Sequence, residues 1–299
     1  MEKDKRKKIA ESSPSPFPLP LPGGEDKGEG VKSSANLTIL ARELRQEILN
    51  ISYRAKVGHV GSALSIIDIL TVLYFRILKI DPQNPQSPER DRFLLSKGHA
   101  AAALYAVLSR RGFFPQEELY TFCQNGTRLA VHPEDTSLPG VEYASGSLGH
   151  GLPYGTGLAL GGGKGENPFR VFVLISDAEC DEGSVWEAAL FASHHKLDNL
   201  TVMIDYNQSQ ALGQVSEILN LEPFVDKWKS FGWQAEEIDG HNLKALEDRL
   251  FRLPLQRNKP SVFIARTALG KGISFMENKL DWHYLTMTED QYQKAISLL

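Results

Sequence analysis

The sequence predicts an α/β domain built on a mostly parallel sheet with helices on both faces. Short strand-like runs at 171–175 (VFVLI), 200–205 (LTVMID), 233–239 (WQAEEID) and 261–265 (SVFIA) alternate with stretches of helical periodicity. Strand, helix, strand repetition of this kind is the signature of a parallel sheet covered on both sides. The chain has 299 residues, 41% of them hydrophobic, enough for the core of one large α/β domain or two small ones.

Taken in order, residues 1 to about 34 begin with the basic MEKDKRKK and become Pro-rich, then rich in glycine and charge. That composition predicts a disordered tail, with the folded domain spanning 35–299. No apolar h-region follows the basic start, so a secretory signal is not expected. From Asn36, a capping-type residue, Leu37, Leu40, Ala41, Leu44, Ile48 and Ile51 recur at helical spacing and predict an amphipathic helix. The loop KVGHVGS leads to a second apolar helix at roughly 65–79, which the proline-punctuated DPQNPQSPERD follows. SKGHAAAALYAVLSRRG reads as a loop feeding a helix that stops at Gly112. The stretch CQNGTRLAVHPEDTSLPGVEYASGSLGHGLPYGTG reads as one long loop, of a kind that is often functional. Further helices are expected at 183–196 and 243–253.

Charge and cysteine usage narrow the function. With 33 basic and 37 acidic residues the formal net charge is -4, so no basic field favours nucleic acid or an anionic membrane. Cys123 and Cys180 lie in no metal-ligand spacing, which argues against a disulfide scaffold and structural zinc and leaves a reducing cytoplasm as the expected compartment. No apolar run is expected to reach the ~20 residues of a membrane span.

Directly after the strand at 171–175, Ser-Asp-Ala-Glu-Cys-Asp-Glu-Gly sets four carboxylates within positions 177–182. Ligands of parallel sheets bind outside the carboxyl ends of the strands. A strand that stops at Asp177 and turns into a helix puts a carboxylate beside free helix N-terminal amides, a setting for an anion with a hard cation. Asp177 would supply one oxygen to Mg²⁺ or Ca²⁺, Asn207 in DYNQSQ a second, and the Ser209 carbonyl a third. An acidic helix start also arises simply to complement the helix dipole. The recurrence of Asp and Asn at the ends of two successive strands, one strand-helix-strand unit apart, favours the ligand reading. Five of the eight histidines, His59, His99, His132, His150 and His283, fall in Gly-rich or polar loops. Each alone reads as a solvated loop residue; together they suit proton transfer near neutral pH.

Asp177 to Asn207, with ECDEGSVWEAA, LDNL and DYN, resembles the thiamine diphosphate motif of the transketolase family. The resemblance runs from about Asn36 to His283 through KVGHVGS, RDRFLLSKGHAAAALYAVL, HPE, PGVEYASGSLGHGLPYGTGLAL, DKWKSFGW, EIDGH and ALGKGISFMEN. It implies the thiamine diphosphate-binding fold, with Asp177, Asn207 and the Ser209 carbonyl holding a Mg²⁺ that bridges the cofactor's diphosphate. It also implies that His59 and His283 contact the reacting oxygens, that His99 lies beside the diphosphate and thiazolium, and that His132 binds the donor's terminal hydroxyl. Gly149, His150, Ala178 and Glu179 are implied as cofactor neighbours, and Glu182 with Glu187 as part of a carboxylate network near a subunit boundary. ALGKGI lacks full Walker spacing and is assigned by resemblance to a loop covering the cofactor. Ser176-Asp177-Ala178 stands where the family usually has Gly-Asp-Gly. A left-handed or crowded backbone at Ala178 would cost on the order of 1 kcal/mol. Val60, Val131 and Tyr284 also depart from the family's usual proline, glycine and glycine.

The matched portion is only the family's diphosphate-binding domain, so the sequence resembles the N-terminal subunit of split transketolases. That implies a separate C-terminal subunit supplying the pyrimidine-binding domain, a heterotetramer with dyad symmetry, and transfer of a two-carbon ketol unit between sugar phosphates. The competing expectations are another thiamine enzyme, such as a deoxyxylulose-phosphate synthase, and a cofactor-binding or assembly subunit without activity.

Overall fold

The computed structural model describes residues 34–163 and 168–299. The tail expected over 1–34 lies outside the described residues except for Ser34, which opens the first helix. Five parallel strands form the central sheet: β1 (Arg92–Leu95), β2 (Val171–Ser176), β3 (Leu200–Tyr206), β6 (Gln234–Asp239) and β7 (Ser261–Arg266), in the order β1-β2-β3-β7-β6. Between β3 and β6 a small antiparallel hairpin, β4 (Ser209–Gln210) with β5 (Gly213–Gln214), sits just beyond the carboxyl end of β3.

Every residue of β2 and β3 is buried, which requires that both faces of the sheet be covered. Val171, Val173 and Ile175 join one core cluster with α5 (Gly151–Gly162), α6 (Gly183–His194) and α8 (Phe224–Ser230). Their pleat neighbours Phe172 and Leu174 are also at 0% exposure, on the opposite face. The remaining helices are α1 (Ser34–Ala55), α2 (Val60–Val72), α3 (Ala101–Arg111), α4 (Gln116–Leu119), α7 (Val215–Ile218), α9 (Leu243–Leu250) and α10 (Glu289–Ser297). The predicted helical stripe of α1 is buried at all six positions from Leu37 to Ile51, and Gly112 ends α3 in a left-handed cap.

Four departures from the sequence reading have physical causes. The second helix starts at Val60, not 65, because His59 takes the left-handed N-cap conformation (φ 63°) and turns the chain directly into the helix. It ends in a π-helical turn at Leu73–Ile77, and all thirteen residues of α2 are buried. Val60–Ile77 thus forms an 18-residue segment of mean hydropathy 1.7, long and apolar enough to cross a membrane, but 89% of it is packed inside the protein. The glycine-rich end of the expected long loop, from Gly151 on, belongs to the helix α5. A Cβ at Gly151 would lie 2.2 Å from Ser96 Oγ and one at Gly155 2.5 Å from a Val173 methyl, so glycine there lets the helix lie close on the sheet. Finally, β1 is a four-residue edge strand hidden in RDRFLL.

Candidate active site

The carboxyl ends of β1, β2, β3 and β7 converge on one place. Asp177 follows β2 as the N-cap of a short 3₁₀ turn at Ala178–Asp181. Its Oδ1 accepts from the Ala178 amide at 2.8 Å, and its Oδ2 accepts from the Gln208 amide at 2.8 Å. The carboxylate therefore stitches the end of β2 to the turn after β3. Asn207 Oδ1 accepts from the Ser209 amide at 2.9 Å, and its amide nitrogen donates to Asp205 at 3.0 Å. Burial, then the neighbouring Asp205 carboxylate, pushes Asp177 up to about 7. Lys97 and the amides of Gln208 and Ala178 only partly offset this. Ala178 is absent from the left-handed residues, so its methyl carries no backbone penalty there.

Glu179, at 0% exposure, uses both oxygens inside the protein. One accepts from the Ser96 hydroxyl and from the Gly149 amide at 3.0 Å; the other accepts from the Ser176 amide at 2.8 Å. Its role in this arrangement is to fix the backbone of the loops around the site. Gly149 has φ +79°, and a Cβ on it would lie 2.6 Å from Glu182 Cβ, so only glycine fits that approach.

Lys97 is the central group that sequence reasoning missed. Its side chain is 1% exposed and forms an ion pair with the fully buried Asp205, which also accepts from the Ser65 hydroxyl at 2.7 Å and from Thr267. Burial opposes ionisation of Asp205, but Lys97 and these hydroxyls outweigh it and hold its carboxyl below the usual range. Lys97 Nζ lies 3.4 Å from the Ser62 carbonyl, and Ser62 Oγ lies 3.4 Å from His283 Nδ1. The carboxylate layer is thereby joined to a histidine layer.

Four of the five singled-out histidines come together. Ring centroids are 5.3 Å apart for His59 and His99, 5.4 Å for His59 and His283, 5.4 Å for His99 and His283, and 6.3 Å for His59 and His132. The His59 amide donates to the His283 carbonyl at 3.1 Å, tying the two loops together. Burial, reinforced by His59 and Lys97, depresses His283 to about 4. Burial followed by Lys97 and the other imidazoles pushes His99 well below its ordinary value, and burial with His132 and Lys97 lowers His59. These three rings are neutral at physiological pH and able to take a proton. Among the described residues His59 Nδ1 is buried without a hydrogen-bond partner, a polar atom that the fold itself does not use.

His150 does not join this group; it is exposed at the N-cap of α5. Glu182 and Glu187 are exposed on α6, where Leu190 and Phe191 are also exposed (58% and 44%). The loop ALGKGI is held by a second network that the sequence did not reveal. Asp68 Oδ2 accepts from Arg45 at 2.5 Å and pairs with His241 Nδ1 at 2.8 Å, while His241 Nε2 accepts from the Ala268 amide at 2.9 Å. An acceptor Nε2 fixes the proton on Nδ1, which donates to Asp68. Arg45 Nε also donates to the Lys271 carbonyl at 3.2 Å, and the Gly270 amide donates to the Gly61 carbonyl at 3.0 Å. Sequence reasoning missed Lys97, Asp205, Asp68 and His241 because each works through a partner distant in sequence. The one local hint was a lysine wedged between a strand end and Gly-His.

Among the described residues no group of three or more His, Cys, Asp or Glu side chains is arranged to hold a metal. The side-chain oxygens of Asp177 and Asn207 each accept from backbone amides, of Ala178 and Gln208 and of Ser209 respectively.

A parallel sheet bearing this site across its strand ends defines a ligand-binding α/β domain. The comparisons agree. A family profile described as the thiamine diphosphate binding domain of transketolase matches residues 38–297, and the chain belongs to the transketolase family, corresponding to the N-terminal subunit of split transketolases. It is 43% identical over 243 residues to the 6-deoxy-6-sulfo-D-fructose transketolase subunit SqwG of Clostridium sp. strain MSTE9, covering 81% of this chain and 88% of that protein. It is 37% identical over 260 residues to one subunit of the apulose-4-phosphate transketolase of Phocaeicola vulgatus, covering 87% and 92%. Among solved structures, transketolase from Leishmania mexicana superposes with a TM-score of 0.82 at 27% identity, over 87% of this chain and 40% of that one. Transketolase from Campylobacter jejuni gives 0.78 at 30% identity, over 87% and 41%. The chain thus spans about two fifths of those full-length enzymes.

Proposed function

We propose that this chain is the diphosphate-binding subunit of a heteromeric, cytoplasmic transketolase that moves a two-carbon ketol unit from a ketose to an aldose. The observation that carries the reading is the buried Asp177 carboxylate, stitched across two strand ends beside Asp205, which Lys97 and Ser62 connect to a cluster of neutral imidazoles. Asp177, Asn207 and the Ser209 carbonyl would hold Mg²⁺, or Ca²⁺ in its place, with the diphosphate; Gly149, His150, Ala178 and the Glu179-ordered loops would border it. A buried carboxylate with a second carboxylate, Asp205, beside it fits a cation, and the His59 nitrogen unpartnered among the described residues fits a ligand.

Bound there, thiamine diphosphate supplies the carbon nucleophile that carries the two-carbon unit. His59, His99 and His283 take a hydroxyl proton from the donor as its carbon-carbon bond breaks and return one to the acceptor's oxygen. Their depressed proton affinity makes the transferred proton easy to give back. His132 binds a donor hydroxyl. The named substrates of the relatives carry a 6-sulfo group or a 4-phosphate, which supports anion-bearing sugars, sugar phosphates foremost, as the substrate class here.

A separate pyrimidine-domain subunit would complete the site in a dyad-symmetric heterotetramer, with exposed Glu182 and Glu187 offered to a subunit boundary. Calorimetry with thiamine diphosphate and Mg²⁺ tests this, first on the chain alone and then on its mixture with the candidate partner, followed by a ketol-transfer assay. Tight, metal-dependent binding and transfer are expected only in the mixture. No binding in either case would favour an inactive assembly subunit.

A further inference from the structure

A cavity of about 520 Å³ opens beside the histidine cluster, lined by residues from 57–59 and 123–131 and by Tyr284. Its size suits a small metabolite. We propose that this cavity is a neutral subsite that receives the hydroxylated carbon chain of a sugar and excludes its phosphate or sulfonate, with Tyr284 and Gln124 setting which chains fit. The inference rests on the transketolase reading and adds to it a basis for choosing among sugars.

The chemistry of the lining supports neutrality. Val57, Ala130 and Val131 are apolar, and no Lys, Arg, Asp or Glu lines the cavity. His59 is neutral, and burial raises the Cys123 thiol to about 11, so it too is uncharged. An anion placed there would lose water without gaining a cation from the described residues of this chain. The smaller adjoining cavity shares Gln124 and Thr127 and does contain Arg128, but that guanidinium is held by Glu118 through two hydrogen bonds of 3.0 Å.

Hydroxyl groups, by contrast, find partners. The Tyr284 hydroxyl makes no hydrogen bond to the described residues, while its ring stands 4.8 Å from His283 and 5.7 Å from His59. Gln124 uses one amide hydrogen on the Tyr120 carbonyl at 3.0 Å, which leaves a second N–H and its carbonyl oxygen. Thr121 Oγ1 donates to the Glu118 carbonyl, so Thr127 must be the donor in the 2.7 Å Thr121–Thr127 contact. Thr127 also accepts from the Leu129 amide at 3.0 Å and can offer a sugar only an acceptor lone pair. The wall is ordered in advance: the Cys123 amide donates to the Leu129 carbonyl at 2.8 Å, closing the loop on itself. At 58% exposure Tyr284 is the large ring at the rim, so its size limits what passes.

The test uses the full chain in complex with its pyrimidine-domain subunit. D-Fructose, D-fructose 6-phosphate and D-xylulose 5-phosphate serve as donors, and glycolaldehyde, D-erythrose, D-ribose and D-ribose 5-phosphate as acceptors. Tyr284→Gly should raise the kcat/KM ratio of D-ribose to glycolaldehyde about tenfold, and Gln124→Ala should lower that ratio by a similar factor. Val131→Lys should raise the preference for D-ribose 5-phosphate over D-ribose by about tenfold. The three variants lie on separate segments, so misfolding of one leaves the others informative. Ratios within about twofold of the parent in the folded variants, with transfer intact, would overturn the subsite while leaving the enzyme assignment standing. No transfer from any donor by the parent complex would overturn the transketolase reading and this inference with it.

Discussion

Replacing Lys97 with methionine tests the electrostatic arrangement beneath the histidines. The substitution preserves most of the side-chain volume but leaves Asp205, at 0% exposure, without its cation. Removing one member of a buried pair typically costs about 3–5 kcal/mol. Asp205 would keep its hydrogen bonds from Ser65, Thr267 and Asn207, which places the expected loss near the lower end, about 3 kcal/mol. At roughly 2 °C per kcal/mol for a domain of this size, the melting midpoint should fall by about 6 °C. Urea unfolding gives the free energy directly, and Lys97→Met/Asp205→Asn should recover most of it, because a neutral amide no longer requires a counter-charge. The same replacement removes a repulsion that lowers the proton affinity of His59, His99 and His283, so NMR titration should find all three more basic. A loss below about 1 kcal/mol with unmoved imidazole titrations would refute the reasoning.

Asp177→Ala should abolish Mg²⁺-dependent thiamine diphosphate binding in the complex, measured by calorimetry, while far-ultraviolet circular dichroism stays as in the parent; retained affinity would place the cation elsewhere. Stability should decline in acid. His283 titrates near its ordinary ~6.5 when unfolded but at about 4 when folded, so the unfolded chain binds more protons between those values. Its contribution is fully present above about pH 6.5 and is lost as pH falls toward 4, and His283→Gln should flatten the urea midpoint across that window. His241→Ala removes the acceptor for the Ala268 amide, so trypsin should cut after Lys271 several-fold faster, and His241→Gln should restore part of the protection. Equal cleavage rates would show that the loop is held by its other contacts.

The sequence makes visible what depends on local pattern. The runs at 171–175, 200–205, 233–239 and 261–265 each became a strand with boundaries shifted by at most one residue. Asp177 reaches the Gln208 amide after β3 because adjacent parallel strands end side by side, and His59, His99, His132 and His283 come together because loops at that edge gather. Helix α5 escaped because glycine is a poor helix former whose value there lies in contact with Ser96 and Val173, partners invisible in one-dimensional pattern. Lys97 escaped for the same reason: its partner Asp205 is 108 positions away, and a lysine next to Gly-His gives no sign of burial. His150 lies apart from the imidazole cluster because it caps α5, and there it is exposed.

Helix α2 begins at the residue after His59 and has no exposed position along its length. An imidazole mounted at the end of such a helix can be displaced only by disturbing the interior, so backbone amides along α2 should exchange with solvent only through global opening. In the rim opposite, Gln124, Asn125 and Gly126 are all exposed on a loop closed at its base by the Cys123–Leu129 bond, a setting in which side chains at the tip can change without disturbing the interior. On the proposed reading, proton handling and substrate choice would reside on segments with very different freedom to change, and a new sugar preference would be acquired at the rim without reopening the core.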